Sequence, residues 1–239
     1  MVLVFDISGD MAMFRKPYTT TSLISYPFPP PTAVAGLLGA ITGVDNQASS
    51  EGAGSAAFWD QMSGTRIAIG QKRSVRWMTT AVNLIKYKDA SGDMAEHIQA
   101  KHQMVKDPAY RIYVSGGDIY SELKIRLEKN EFIYTPYLGV AYALADIEYI
   151  GEFEEESGDD NYIDTIVPVY GNLVVDIQQS KSVHKELVPY RMDTKRGTIE
   201  TVHIFYSEYQ KSKGLWIQEN GDVLITRVGD EGVAWFETW

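Results

Sequence analysis

Alternating hydrophobic and polar positions predict β-strands along much of the chain. Residues 2–8 (VLVFDIS) and 110–116 (YRIYVSG) place apolar side chains at every second position, so that these share one face of a strand. Residues 65–71 (TRIAIGQ), 75–82 (VRWMTTAV) and 83–88 (NLIKYK) carry β-branched and aromatic residues at alternating positions and predict further strands. A turn and one more strand are predicted within residues 131–153.

Two segments show the signals of helices. In SYPFPPPTAVAGLLGAITG (25–43) the prolines force an extended approach, so a helix is expected to begin at Pro31 or Thr32 and to end at Gly43. Residues 118–130 form the second predicted helix, with Asp118 as its N-cap. Its apolar residues recur at every fourth position, at Ile119, Leu123 and Leu127.

This order of elements is strand, helix, two strands, helix, strand, which is typical of an α+β, ferredoxin-like (RRM-like) βαββαβ core. We expect this core to occupy residues 1–150, with residues 71–107 as an insertion between its middle strands. A smaller β-rich domain is predicted over 151–239, where ENGD (219–222) has the composition of a hairpin turn.

Composition narrows the classes of function. The chain has no cysteine, which excludes disulfides, thiolate zinc sites and cysteine nucleophiles and suits a reducing, cytoplasmic compartment. Its four histidines lack metal-ligand spacing, so no metal is expected. No run of 18 apolar residues occurs and the first residues carry acids, so neither a membrane span nor a secretory signal is expected. The GxSxG, GxxxxGK[ST] and GxGxxG motifs are absent, and no cofactor is expected.

Charge is segregated along the chain. The net charge is −10, yet residues 71–111 hold eight basic and four acidic side chains, a net charge of +4. Residues 144–164 hold nine acids and no base, through EFEEESGDD, which is expected to be a solvated polar loop. A second basic patch lies between Lys181 and Arg196. Such segregation indicates that one face meets an anion, although scatter over a solvated surface is the alternative.

Basic and aromatic residues are interleaved in KRSVRWM (72–78). On a strand, Lys72 and Arg76 would share one face, and Arg73 and Trp77 the other. Guanidinium groups suit phosphates, and an indole stacks on an unpaired base. In the alternative interpretation Trp77 belongs to the core and its basic neighbours are merely solvated.

The segment HIQAKHQMVK (97–106), interpreted as a loop, adds Lys101, His102 and Lys106. Histidine near lysine and tyrosine supports metal-independent RNA cleavage, in which one group activates the 2′-hydroxyl. Contacts to phosphates and bases without chemistry, or solvated turn residues, are the alternatives that we favour.

The N-terminal motif resembles that of the fifth family of CRISPR-associated (Cas) proteins, the RAMP-type subunits of type I Cascade complexes. The family pattern, a strand followed by A-x-F-R and S-Y-x-x-P-P-x-T-x-x-G-L-L-G-A, is matched within residues 12–40. A later segment, YRIYV followed by TPYLG, is also similar. The matching residues are Ala12, Phe14, Arg15, Ser25, Tyr26, Pro29, Pro30, Thr32, Gly36, Leu37, Leu38, Gly39, Ala40, Pro136, Leu138 and Gly139.

The resemblance implies an RRM-like core, a β-hairpin thumb in the insertion and a small β-rich C-terminal domain. It also implies a non-catalytic role: holding the 5′ handle of CRISPR RNA beside a backbone RAMP subunit and the large subunit, with target DNA met only through the complex. The pattern is closest to the type I-B group, and the alternative is an endoribonuclease that processes repeat RNA. No membrane partner is implied. The RNA-binding residues expected on this basis are Arg15, Lys16, Tyr26, Lys72, Arg73, Arg76, Trp77, Lys101, His102, Lys106 and Arg111.

Overall fold

The structure is a computed structural model. It describes residues 1–19, 22–44, 58–87, 94–158, 161–180, 182–193, 195, 197–208 and 214–239. The composition of residues 44–55 (VDNQASSEGAGS) predicts a loop, and that of residues 89–97 (DASGDMAEH) predicts a turn. The first lies outside the described residues except for Val44, and so does most of the second.

The described chain is built mainly of strands, with four helices among its described residues. The helices are α1 (Pro31–Thr42), α2 (Phe58–Gln61), α3 (Tyr120–Lys129) and α4 (Ile177–Ser180). The strands are β1 (Val2–Ser8), β2 (Met11–Ala12), β3 (Phe14–Arg15), β4 (Ser22–Tyr26), β5 (Arg66–Gln71), β6 (Trp77–Tyr87), β7 (Met94–Lys106), β8 (Ala109–Ser115), β9 (Asp146–Phe153), β10 (Glu155–Ser157), β11 (Tyr162–Ile163), β12 (Val167–Pro168), β13 (Val174–Val175), β14 (His184–Met192), β15 (Thr198–Tyr206), β16 (Leu215–Glu219), β17 (Ile225–Val228) and β18 (Glu231–Ala234).

A four-stranded antiparallel sheet in the order β5-β8-β1-β9 forms the centre of the molecule. Its strands and the helices α1 and α3 follow each other in the predicted order, β1, α1, β5, β8, α3 and β9. The long β6–β7 hairpin is inserted between β5 and β8. Alternation along β1 separates two cores: Leu3 and Phe5 pack with residues of α1 and α3, whereas Val2 and Val4 pack with residues of the C-terminal strands. Both faces of the sheet are therefore covered over part of their area.

Helix α1 begins and ends where its sequence predicts. Pro30 has φ −63° and ψ 158°, an extended conformation, and Pro31 is the first helical residue. Gly43 ends the helix with φ 78°, and its N–H donates to the Gly39 carbonyl oxygen at 2.9 Å. A left-handed glycine of this kind is the common C-terminal stop of a helix.

Three local predictions outside the insertion are wrong. Helix α3 begins at Tyr120 without a side-chain cap, so Asp118 is not its N-cap. The acidic run 152–160 is not simply a loop, because β9 ends at Phe153 and β10 follows at Glu155–Ser157. Residues 219–222 do not join a hairpin, because β16 pairs with β11 and β13 whereas β17 pairs with β10 and β18.

The insertion is a long antiparallel hairpin, as the family resemblance implies, and not the two short strands and loop expected from the residue patterns. β6 pairs with β7 from Trp77 opposite Val105 to Tyr87 opposite Met94. At its root, β7 also pairs with β2 and, in parallel, with β4. Residues 72–76 precede β6, so the strand alternation predicted for them does not apply. Residues 97–106 belong to β7, which corrects their interpretation as a loop.

Strand β3 pairs with β4 and completes the sheet at the hairpin root, and the strands β10 to β18 form three small antiparallel sheets, β10-β17-β18, β11-β16-β13 and β12-β15-β14. The first of these packs on the central sheet, where Trp235 is buried beside Val2 and Val4. Strand β9 (Asp146–Phe153) spans residue 150, where the boundary between the two domains is predicted from the sequence. Within the described residues, none of the helices has the length and apolar character needed to cross a bilayer.

Candidate nucleic-acid interface

The register of the β6–β7 hairpin sorts its side chains into two faces. Directly paired residues project to the same side of a sheet and successive residues alternate. We call the first side the Trp77 face: Trp77, Thr79, Ala81, Asn83, Gln99, Lys101, Gln103 and Val105. The second is the His102 face: Met78, Thr80, Val82, Ala100, His102, Met104 and Lys106. Lys101 and His102, neighbours in sequence, therefore lie on opposite sides.

The Trp77 face is anchored at the root of the hairpin and exposed beyond it. Val105 is buried in the main core beside Ala12. Trp77, directly opposite Val105, keeps 41% of its surface exposed. Further along, Thr79, Asn83 and Lys101 are exposed. The indole is thus neither a core residue nor fully solvated, but stands at the rim with area available for stacking.

The His102 face is covered at its root. His102 is 4% exposed, and its Nδ1 lies 3.2 Å from the Tyr142 hydroxyl oxygen. Its Nε2 is buried without a hydrogen-bond partner among the described residues. Burial, and secondarily the positive charge of Arg15, lowers the pKa of His102 and so favours the uncharged imidazole. A base splayed beside the hairpin would not reach this ring, contrary to our expectation for His102.

The segment before β6 brings further cations to the hairpin root. The Lys72 N–H donates to the Ala109 carbonyl oxygen at 2.9 Å, and the Lys106 N–H donates to that of Arg76 at 2.7 Å. Arg76 is paired with Asp107, while Lys72 Nζ lies 3.8 Å from Asp6 Oδ2.

Four of the predicted cations have no carboxylate partner among the described residues: Arg15, Arg73, Lys101 and Lys106. All four are exposed. Lys101 and the Trp77 indole lie on the same face of the hairpin, two paired positions apart, and Arg73 lies four residues before Trp77 in the chain. They provide cations suited to phosphates and a stacking surface, without internal salt bridges among the described residues.

Two predicted RNA contacts, Tyr26 and Lys16, are instead occupied internally. Tyr26 is 1% exposed, its hydroxyl donates to the Leu187 carbonyl oxygen at 3.1 Å, and burial raises its pKa. Lys16 pairs with Glu186, and its Nζ lies 5.1 Å from the centroid of the Tyr26 ring. These side chains attach the N-terminal region to β14.

Arg111 is also engaged within the protein, on the central sheet. Its Nε and one terminal nitrogen donate to the two carboxylate oxygens of Asp6 at 2.7 and 2.9 Å, and the other terminal nitrogen donates to Glu231 at 2.9 Å. The hydroxyl of Tyr113 donates to the same Glu231 oxygen at 2.6 Å. The partners Asp6, Glu231 and Tyr142 were not expected from the sequence, since each lies far along the chain from the residue that it contacts.

Among the described residues, the other charged and polar groups form no arrangement that points to a metal-binding or catalytic site. Within the described residues, there is no group of three or more histidines and carboxylates arranged to hold a metal ion. In the second basic patch, Arg191 pairs with Glu200 and Lys185 lies over the Phe205 ring at 5.8 Å, while Lys181 and Arg196 lie outside the described residues.

Comparison with known proteins gives the family. The family model described as "CRISPR-associated protein (Cas_Cas5)" matches residues 2–206. A crystal structure of a CRISPR protein from Archaeoglobus fulgidus superimposes with a TM-score of 0.56 at 14% identity, over 98% of this chain and 99% of that chain. A chain of a CRISPR RNA-guided surveillance complex gives a TM-score of 0.50 at 15% identity, over 91% of this chain and 92% of that chain. No match is found among curated proteins. These structural likenesses show the fold, and since the family model spans well over half of the sequence, the chain belongs to the Cas5 family of CRISPR-associated proteins.

Proposed function

We propose that this protein is a non-catalytic RNA-binding subunit of a type I CRISPR Cascade complex and that it holds the 5′ handle of CRISPR RNA. Membership of the Cas5 family supports a place in CRISPR defence. The backbone RAMP subunit and the large subunit are the proposed protein partners, and target DNA is met only through the complex. The central sheet with α1 and α3 is proposed to be a ferredoxin-like core, supported by its order β5-β8-β1-β9. The proposed division into residues 1–150 and 151–239 is supported by the separate small sheets of the C-terminal part.

One observation carries the proposal: a half-exposed indole shares one face of the hairpin with the exposed Lys101, and no carboxylate among the described residues neutralises either that lysine or Arg73, four residues before the indole. Trp77 supplies a flat surface for an unpaired base, and stacking of this kind contributes about 1–3 kcal/mol per base. Arg73 and Lys101 supply charge for the phosphates on either side. Single-stranded RNA suits such a site, because its unstacked bases expose their faces.

The acidic net charge does not oppose this assignment, because the cations are concentrated at the hairpin. The outer side of the central sheet, the usual RNA-binding face of RRM-like folds, here carries Asp6 and Glu148 in addition to Arg111, and Glu231 reaches Arg111 from β18. Asp6 and Glu231 already neutralise Arg111, so this guanidinium is not available to phosphates, and Glu148 would repel them. The proposed RNA path therefore follows the hairpin and avoids the sheet.

The test is RNA binding as a function of salt. Arg73→Ala and Lys101→Ala are each expected to weaken binding of repeat-derived single-stranded RNA and to reduce the salt slope by about 0.7 for each phosphate that is no longer neutralised. Replacing Lys72, Arg73 and Arg76 together is expected to weaken it further. Lys129→Ala, which removes an exposed cation of α3, serves as the matched control. Affinity and slope that are unchanged in all three hairpin variants would reject the proposal.

The catalytic alternative is tested with the same materials. Repeat RNA incubated with the purified protein in EDTA is expected to stay intact. A defined cleavage product would replace the binding role with that of a metal-independent endoribonuclease.

A further inference from the structure

The rest of the chain covers one edge of the central sheet and leaves the other open. At the β5 edge, the Ile166 N–H donates to the Ile69 carbonyl oxygen at 2.8 Å, and the Phe236 N–H donates to that of Ile67 at 3.0 Å. All residues of β5 except the first are buried. At the opposite edge, β9 pairs with β1, and the backbone of residues 146–153 makes no hydrogen bond to any other part of the described chain. No residue of β9 is buried, so the backbone groups on its outer side are open to a further strand.

Three side chains at alternate positions of this edge strand are exposed: Asp146, Glu148 and Ile150. Asp146 and Glu148 lie directly opposite Ser8 and Asp6 of β1. Neither carboxylate forms a salt bridge among the described residues. Ile150 stands at a register shift in the pairing with β1 and is 36% exposed. The edge therefore presents two carboxylates followed by an apolar side chain.

Ile150 lines a cavity of about 350 Å³ that extends to the turn between β17 and β18. The apolar walls of this cavity also include Val4, Phe153 and Val228. Arg111 and Glu231 line it too, but they are engaged with each other. Asp230, which is exposed, adds a third carboxylate without a salt bridge in the described part of the chain. An apolar side chain that approaches along the edge finds apolar contacts here, in acidic surroundings.

Protection of the edge explains only part of this arrangement. Charges and a bulge on an edge strand hinder pairing with a second copy of the same chain, since two β9 strands would bring carboxylates together. Protection gives no reason for an exposed isoleucine that continues the row of carboxylates into an apolar cavity. A strand with the opposite charge meets no such repulsion.

We propose that the β9 edge accepts an extended segment of a partner protein as an added strand of the central sheet. Basic side chains of this segment lie opposite Asp146 and Glu148, and an apolar side chain lies beside Ile150. In strand addition, main-chain hydrogen bonds supply affinity and alternate side chains supply specificity. Opposite charges paired across neighbouring strands attract each other. The inference goes beyond the proposed function, because it concerns a protein partner and needs no RNA.

The experiment uses labelled, capped peptides and the purified chain, with binding measured by fluorescence anisotropy at low ionic strength. The peptides are Thr-Lys-Val-Lys-Val-Leu-Thr and its reverse sequence, which cover both strand directions. Binding of at least one peptide is expected to weaken about tenfold in Asp146→Lys/Glu148→Lys and about threefold in the isosteric variant Asp146→Asn/Glu148→Gln. The same peptide with glutamate for lysine is expected to prefer the Asp146→Lys/Glu148→Lys protein. Asp60→Lys/Glu219→Lys, which reverses two exposed carboxylates away from β9, is expected to bind like the wild type.

Backbone pairing is tested with two N-methylated versions of the peptide that binds. One is methylated at the valines and the other at the lysines and the leucine, so that each lacks the N–H donors of one strand edge. At least one of them is expected to lose binding. Unchanged binding of both would reject strand addition in favour of simple charge attraction.

Two further results would overturn the inference. One is the absence of binding by both peptide directions, and the other is equal binding by the wild type and the two β9 variants, with circular dichroism showing that the fold is retained. Failure of the proposed RNA-binding function is seen separately, in the salt dependence of RNA affinity, and has no effect on these peptide measurements.

Discussion

Replacing Arg111 with alanine tests whether this arginine stabilises the fold or binds RNA. The sequence pattern groups Arg111 with the other proposed RNA contacts of the basic segment. In the structure its guanidinium is instead saturated by both oxygens of Asp6 and one oxygen of Glu231. Arg111→Ala is therefore expected to lower the free energy of unfolding and to leave RNA affinity unchanged.

The magnitude follows from how far the ion pair is removed from water. The side chains of Arg111 and Asp6 are 17% and 20% exposed. An exposed pair contributes about 0–1 kcal/mol, whereas breaking a fully buried pair costs about 3–5 kcal/mol. After the substitution Lys72 remains 3.8 Å from Asp6, and Tyr113 still donates to Glu231, so neither acid is left without a partner. We therefore expect a loss of about 2–3 kcal/mol, which lowers the Tm by about 4–12 °C for a chain of this length.

The assay pairs this variant with Arg73→Ala, which removes an exposed arginine without a carboxylate partner in the described structure. Thermal denaturation followed by circular dichroism gives the stability, and fluorescence anisotropy with repeat-derived RNA gives the affinity. Arg73→Ala is expected to show the opposite pattern, with a stability change within about 0.5 kcal/mol and weaker RNA binding. An Arg111→Ala protein with a wild-type Tm and a reduced RNA affinity would refute this assignment of roles.

Three further expectations concern stability. Leu38→Ala empties a fully buried position on α1 and is expected to cost about 2–5 kcal/mol in urea unfolding; a cost below about 1 kcal/mol would contradict its place in the core. Gly139 has φ +87°, and a Cβ there would lie 2.1 Å from the Met13 carbonyl oxygen, so Gly139→Ala is expected to lower the Tm. The control Gly36→Ala places its methyl group in open space on a helix and is expected not to lower the Tm. His102 has a folded-state pKa below its ordinary value of 6.5, so as the pH falls the unfolded chain binds this proton before the folded chain does. The free energy of unfolding is therefore expected to fall as the pH drops below about 6.5. His102→Gln is expected to remove this part of the pH dependence, measured by urea unfolding.

The elements that the sequence predicts well are those determined by neighbouring residues. Proline rigidity and a left-handed glycine define the two ends of α1, and both act within a few residues. The strands β1 and β8 are likewise predicted from their own residues, although burial on both faces of β1 means that alternation alone does not single out one core. Prediction fails at Asp118, where a residue of the right type does not become the cap because the helix begins two residues later.

The roles of the charged residues depend on contacts that local sequence does not contain. Asp6 and Arg111 meet because β1 and β8 are neighbours in the sheet, with Asp6 directly opposite Arg111. Glu231 reaches the same guanidinium from the C-terminal part of the chain. Counting charges in residues 71–111 therefore combines cations available to a ligand with cations already neutralised, and only the tertiary pairing separates them.

The hairpin is a different case, since the necessary information is present in the sequence but depends on one correct assignment. Lys101 and His102 differ by one position, so on any strand they must lie on opposite faces. Interpreting residues 97–106 as a loop conceals this, because lysine, glutamine and histidine there lack the β-branched composition typical of strands. Once β7 is a strand paired with β6, buried Val105 places the odd-numbered residues on the side of Trp77. The same alternation places Lys101 on the face of the Trp77 indole and His102 beside Tyr142. The odd or even position of a residue along the strand, and not the number of basic residues, therefore decides which side chains are able to contact RNA together.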